Sequence, residues 1–451
     1  MKGLVERLND RDVGARLAAL EELAREGALG PERGGGHRAV ERGGGHGSAE
    51  LGGGQHAVEY VNNHIHTTYS FSPYSPTKAI YMAKSAGLLT AGIMDHDSVA
   101  GAEEFARAGE IAGIATTAGL ECRCSMVGTP FEGARLNNPD QKSVAYLALH
   151  GIPRRMLGRV QEFMAPYRAE RAARSRKMTE RLGEMFAPHG ISLDYGADVE
   201  PLSLAPRGGT VTERHILFAL ARKLIARFGA GPALTAFLTD AAKAEVSGGA
   251  YDKLSSPDTP FYEYHLLGFL KANFAARFYI DAAAELPGVS DFLRLAVETG
   301  AIPVYPYLGD VKNSVTGDKK DDAFEDAYLD ELTAWLPEYG FRALTYMPAR
   351  NTPEQLARVA DLCVRNNLFQ ISGEDINSPF QSFVCRALED PRHSRLITAT
   401  WALIGHERAA DEDPELGMFS PRSIARTPSL DERAALFVEL GRRHRSNISI
   451  E

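Results

Sequence analysis

Cysteine is scarce in this chain. Cys122, Cys124, Cys363 and Cys385 are the only four among 451 residues, and none stands in a C-x-x-C pair. A disulfide scaffold is thereby excluded, and a reduced, cytoplasmic setting is the expectation. Long apolar runs are missing too. No stretch approaches 18 apolar residues, so no segment reads as a membrane-spanning helix. Residues 1–27 carry charges throughout and show no apolar core of a secretory signal. Nor is there an excess of positive charge. Lys and Arg number 50 against 59 Asp and Glu, a formal net charge of −9. Such a surface does not favour the phosphate backbone, which argues against general nucleic-acid binding. What remains is 44% hydrophobic and 24% charged, a composition that excludes global disorder.

Residues 1–30 read as amphipathic helices. Leu4, Leu8, Val13, Leu17, Leu20 and Leu23 recur at helical spacing, and Asp10 is the expected N-cap of the second helix. Residues 31–56 are Gly-rich, with ERGGGH occurring twice, and read as a flexible linker. Its His37, His46 and His56 are metal-ligand types, but a Gly-rich backbone pre-organises ligands poorly. From residue 57 short apolar runs alternate with helical patterns. Strands are expected over 58–66, 90–96, 115–124, 143–152, 301–308, 341–348 and 368–376. Helices are expected over 75–88, 100–113, 324–340 and 352–367. This alternation implies a parallel sheet with right-handed crossovers. Seven strands suggest one closed α/β barrel over 57–152 and 299–380, although a doubly wound sheet gives the same alternation. A long helical insertion, 153–298, separates the two halves. Thr210 and Glu213 form a T-x-x-E capping pattern within it. Residues 381–451 look helical.

The ligand-type residues fall at strand ends. His64 and His66 end the first strand, and i, i+2 side chains on a strand share a face. Asp95, His96 and Asp97 end the second, Glu121 lies late in the third, and His150 ends the fourth. Glu374 and Asp375 end the seventh. In a parallel barrel these ends share one rim, where barrel enzymes carry their sites. Imidazoles and carboxylates crowded there suit Zn²⁺, Mn²⁺ or Fe²⁺. Structural alternatives stand beside each residue. Asp95 and Asp97 could cap the next helix, Glu121 could pair with Arg123, and His150 could be a core histidine. Lys319, Lys320 and Arg350 follow late strands and could reach a phosphate. Arg214 and His215 open an insertion helix, a place that favours anions. Cys122 and Cys124 face away from Glu121 and read as core.

The segments VNNHIHTTYS, GIMDHDS, AGLECR and LALHG, with the late acidic strand end, resemble the PHP (polymerase and histidinol phosphatase) family. The resemblance implies a distorted (β/α)7 TIM-like barrel and a cluster of one to three divalent ions. It implies His64, His66, Glu121 and Asp375 as ligands of one ion. It implies a second ion bridged by Glu121 and held by His150, and a third position for His96. This chain departs from the pattern at Phe71 and Ser72, at Tyr305 and at Asn377, each standing near an expected ligand. One firm metal site and a weaker second, completed by Tyr305 or water, are therefore expected.

The leading functional expectation is a metal-dependent phosphoesterase acting on a small phosphorylated metabolite or nucleotide. A metal-bound water with its pKa lowered towards about 7 would attack phosphorus. His96, Asp97 or His150 would pass a proton to the leaving oxygen. Amide hydrolysis by the same nucleophile is chemically open. The alternatives are a non-catalytic or regulatory module with a degenerate metal site, and a small exonuclease.

Overall fold

The computed structural model describes residues 1–30, 59–138, 140–244, 246, 248–310 and 325–448. The Gly-rich segment with its three histidines, and Lys319 and Lys320, lie outside the described residues. Seven strands are present among those described: β1 (Tyr60–Ile65), β2 (Leu88–His96), β3 (Ala115–Ser125), β4 (Val144–His150), β5 (Ile302–Tyr307), β6 (Ala343–Tyr346) and β7 (Phe369–Ser372). They form one sheet in sequence order. The sheet curls until its edges meet. Ile65 bridges Ile376, the His66 N–H donates to the Ile376 carbonyl at 2.9 Å, and the Ile376 N–H donates to the His64 carbonyl at 3.1 Å. Two buried asparagines of β1 close the rest of this seam. The Asn62 amide donates to the Glu374 carbonyl at 3.1 Å and the Asn63 amide to the Ser372 carbonyl at 2.8 Å. Side-chain amides thus satisfy backbone groups that a short β7 leaves without a strand partner. The architecture is the distorted α/β barrel with a helical insertion and N-terminal helices.

One strand departs from the expected parallel order. β4 runs antiparallel to both β3 and β5, whereas β1–β2–β3 and β5–β6–β7 are parallel. No helix lies among the described residues of 126–143, the connection from β3 to β4. Antiparallel neighbours need no helical crossover, so this direction is the natural one. The reversal places the start of β4, not its end, at the rim that carries the ends of β1, β2 and β3.

Hydrophobic burial divides the molecule into layers. The barrel helices and the N-terminal pair, Lys2–Arg7 and Val13–Arg25, share one core with the outer faces of the strands. Asp12, rather than Asp10, caps the second helix by accepting the Ala15 N–H at 2.8 Å. Arg16 of that helix is buried against Glu104 of the barrel helix Ala102–Ala112. A second core, running from Met178 to Phe278 and joined by Phe71, belongs to the insertion. The helix Leu157–Phe186 spans both, since Leu157, Val160 and Met164 pack into the barrel and Met178, Leu182 and Phe186 into the insertion. The helix Val289–Thr299 buries Phe292, Leu295 and Ala296 in the barrel core, although the sequence boundary assigned residues up to 298 to the insertion.

The far end of the barrel is closed by the helix Ser394–Glu412. Its Ala399, Ala402 and Leu403 meet Ile302, Ala343 and Phe369 at the strand starts. The helix Leu430–Ile448 crosses behind it at a glycine pair. A Cβ on Gly405 would stand 2.0 Å from the Phe437 carbonyl oxygen, and one on Gly441 2.1 Å from that of Trp401. No helix among the described residues is long and apolar enough to cross a membrane.

Candidate metal centre

The close approach that closes the barrel also builds the site. His64 lies on β1, His66 just beyond it, and Asp375 in the segment that seals the seam. A Cβ on Gly373 would lie 2.7 Å from the His64 Cβ, so only glycine lets this segment pass. The Nε2 atoms of His64 and His66 lie 3.2 Å apart, and His66 Nε2 lies 3.2 Å from Asp375 Oδ1. His96, the last residue of β2, places Nδ1 3.0 Å from Glu121 Oε2, while Glu121 Oε1 lies 3.8 Å from His64 Nε2. Two groups of ligand atoms result, His64–His66–Asp375 and His66–His96–Glu121, each with its atoms within 4.8 Å of one another. Ligands about 2.0–2.2 Å from a common ion lie within about 4.4 Å of one another. Mixed imidazole nitrogen and carboxylate oxygen at this spacing fits a divalent Zn, Mn or Fe ion. His66 belongs to both groups.

Supporting contacts orient these groups. Asp95 accepts the Thr67 N–H at 2.7 Å, the Thr67 hydroxyl at 2.6 Å and the Ser70 hydroxyl at 2.6 Å. Ser70 Oγ in turn lies 3.3 Å from His66 Nδ1. Asp95 is therefore a brace for the His66 loop and not a helix cap. Asn377 donates to Asp375 Oδ1 at 2.7 Å and accepts from Arg214 at 2.5 Å. Asparagine at this position fixes the carboxylate and links it to a cation.

Burial and charge set the protonation of the free protein. Burial lowers the pKa of His64, with Glu121 opposing the shift. Burial also works against a charged His66, but Asp375 overcomes it and raises that pKa. Glu121 falls to about 2 because His64 and His96 outweigh its burial. Asp375 is likewise held well below the usual carboxylate range, since His66 and His64 outweigh burial. The two carboxylates stay ionised at neutral pH, as ligation requires.

Several expected site residues stand elsewhere. His150 ends an antiparallel strand. It pairs with Gly119 and Ile302, one layer below the Glu121–Ala148 pair on the same inward face, and its charged neighbours are His64 and Glu121. It joins neither ligand group. Its Nε2 is buried without a hydrogen-bond partner, and burial lowers its pKa to about 3. Asp97 has the left-handed φ of 54°, its N–H donating to the Glu121 carbonyl at 2.8 Å. Its carboxylate is in a buried ion pair with Arg171, and Gly101 occupies the N-cap it might have filled. Tyr305 is fully buried, donates its hydroxyl to Glu325 at 2.7 Å and does not line the cavity. It cannot complete a second metal site. His215 is a capping residue: the helix Glu213–Phe228 starts at Thr212, not Thr210, and the Thr212 N–H donates to His215 Nδ1 at 3.0 Å. Burial brings that histidine to about 3. Arg350 donates to the Leu308 carbonyl at 3.1 Å and lines an adjoining cavity of about 860 Å³. Glu121 does not pair with Arg123, which binds Glu285 and Tyr279 instead.

A cavity of about 610 Å³ opens above the cluster. His64, His96, Glu121 and Asp375 form its floor, and the insertion supplies Arg171, Glu213, Arg214 and Lys271 to its wall. Phe71, where the family resemblance led one to expect a ligand, packs edge-on against His215 at 5.0 Å and pins the β1 loop to the insertion. Ser72 accepts the Tyr74 N–H at 3.3 Å within the same loop. Sequence reasoning missed Arg171, Lys271 and Tyr146. The first two carried no signal beyond helical periodicity. Tyr146 had one, the lack of a helical pattern between β3 and β4.

No family model and no curated relative matches the chain. Among solved structures, one from Bifidobacterium adolescentis, named provisionally as a metal-dependent phosphoesterase, is 18% identical with a TM-score of 0.47, covering 75% of this chain and 96% of its own. Another, an amidohydrolase from Chromobacterium violaceum with bound sulfate and no metal, is 16% identical with a TM-score of 0.47, covering 72% and 90%.

Proposed function

We propose that this protein is a metal-dependent hydrolase that cleaves phosphoesters of small molecules. The observation that carries the reading is the placement of two overlapping imidazole–carboxylate groups on the floor of a cavity with cations in its wall. A divalent ion bound there would lower the pKa of water towards about 7 and polarise a phosphoryl oxygen. His64, His66 and Asp375 would hold one ion, with Glu121 and His96 completing the set or holding a second. Arg214 and Lys271 would offset the charge of the phosphoryl group, since both line the cavity that the floor residues share. Arg171 holds Asp97, and through it the turn that aims His96 at Glu121. Where the insertion keeps bulk water from the cluster, each of these interactions is strengthened.

The proton sent to a leaving oxygen would come from solvent, or from His96 where it is not taken up as a ligand. Asp97 is held by Arg171, and His150 lies one layer below the floor and outside both ligand groups. The cavity favours a small substrate, and the net charge of −9 disfavours a long nucleic acid. The test is hydrolysis of p-nitrophenyl phosphate and bis-p-nitrophenyl phosphate by protein stripped with EDTA and reloaded with Mn²⁺ or Zn²⁺. Activity should vanish on stripping and return on reloading. Metal-loaded protein that hydrolyses neither ester would overturn the reading.

A further inference from the structure

The wall beside His96 contains a phenol head with no hydrogen-bond partner among the described residues. Tyr146 opens towards the cavity because β4 is antiparallel. It pairs with Arg123, two positions on from the Glu121–Ala148 pair, so it shares their inward face. Its ring lies 5.9 Å from that of His96 and lines the same cavity as Glu121 and Arg171. Its neighbours Arg123 and Arg171 are held in ion pairs, although Arg171 Nε is itself buried without a hydrogen-bond partner. Arg123 donates to Tyr279 Oη at 2.9 Å and pairs with Glu285, while Arg171 pairs with Asp97 and stands 3.8 Å from Glu213. The Tyr146 hydroxyl makes no hydrogen bond among the described residues, yet it stands at the rim of the ligand cluster.

We infer that Tyr146 donates a hydrogen bond to an anionic oxygen of the group being cleaved. This rests on the phosphoesterase reading and adds to it a residue that touches substrate and not metal. A phosphoryl group seated on the cluster presents outer oxygens away from the floor, and charge on them must be met by donors in the wall. The guanidinium groups of Arg123 and Arg171 act on the phenol in favour of negative charge, with Glu213 opposing them, and both are tied to carboxylates. A neutral donor suits this place, because a further cation would compete with a divalent ion for the same carboxylates. No proton transfer is required of Tyr146. Its hydrogen bond strengthens as charge accumulates on the oxygen, the condition for stabilising a transition state more than a ground state.

The test compares the full-length parent with Tyr146→Phe and Tyr146→Gln, all loaded with Mn²⁺. Metal content and thermal midpoint are read first, then affinity for inorganic phosphate by calorimetry, then kcat and KM for p-nitrophenyl phosphate. Tyr146→Phe should keep the parent's metal content. It should bind phosphate about tenfold more weakly and lose about ten- to a hundredfold in kcat, as expected for a lost bond to a charged group. Tyr146→Gln, which restores a donor, should recover part of the phosphate affinity. Phosphate affinity and kcat unchanged in Tyr146→Phe would overturn the inference while leaving the phosphoesterase reading intact. Loss of metal in Tyr146→Phe would also overturn it, by showing a role in holding the cluster. A metal-loaded parent that neither binds phosphate nor cleaves esters would remove the reading on which the inference rests.

Discussion

His66 is the residue on which the site turns. It lies in both ligand groups, 1% exposed, with Asp375 on one side and His64 on the other. In the free protein Asp375 raises its pKa above the ordinary 6.5. An incoming ion must displace that proton, so metal affinity should fall as pH drops from 8 to 6. Calorimetric titration of Mn²⁺ at several pH values, in buffers of different ionisation enthalpy, should show proton release increasing over that range. Affinity independent of pH would contradict the assignment of His66. The carboxylates differ in what they should cost. Asp375→Asn should empty the first group and Glu121→Gln the second, each removing one ion if the parent holds two. Metal analysis of both variants checks this.

Elements decide which residues reach the site, and here sequence and structure part company in an instructive way. The ends of β1, β2 and β3 were legible, because parallel strands joined by helices must finish on one rim; so His64, His66, His96 and Glu121 were placed together. β4 was not legible in direction, and a reversed strand exchanges its two ends: His150 went one layer below the floor and Tyr146 came to the rim. The helix Glu213–Phe228 starts two residues later than the pattern at Thr210 suggests, which turns His215 from a wall residue into a cap. Arg171 and Lys271 sit on helices with several polar positions, and only packing selects which of them face the cavity. The elements also offer stability tests. Gly405→Ala would drive a Cβ into the Phe437 carbonyl at the helix crossing. It should cost about 2–3 kcal/mol, since overpacking against backbone cannot relax by a rotamer change. Arg16→Met would leave Glu104 buried without its cation, at a cost of about 3 kcal/mol. Urea unfolding measures both, and a shift below about 0.5 kcal/mol in either would contradict the packing described.

At the scale of the whole molecule, the barrel provides the reactive floor and the insertion provides the wall. Neither is sufficient for the proposed chemistry. Acid should expose this dependence. His150 in the barrel and His215 in the insertion are each brought by burial to about 3, whereas unfolded histidine titrates near 6.5. Below that value the unfolded chain binds protons that the folded chain refuses. Stability from these two groups is therefore present above pH 6.5 and declines as pH falls towards 3. The decline is up to about 1.4 kcal/mol per pH unit for each histidine. Urea midpoints of the metal-free protein between pH 7 and 5 should fall with this sign, and less steeply in His150→Leu. The central claim, that overlapping imidazole–carboxylate groups at the mouth of the barrel hold the metal, is tested most directly by metal per chain in the parent and in His66→Ala. The parent should carry one or two divalent ions and the variant close to none, with both folded by circular dichroism. Equal metal content in the two proteins would contradict the account.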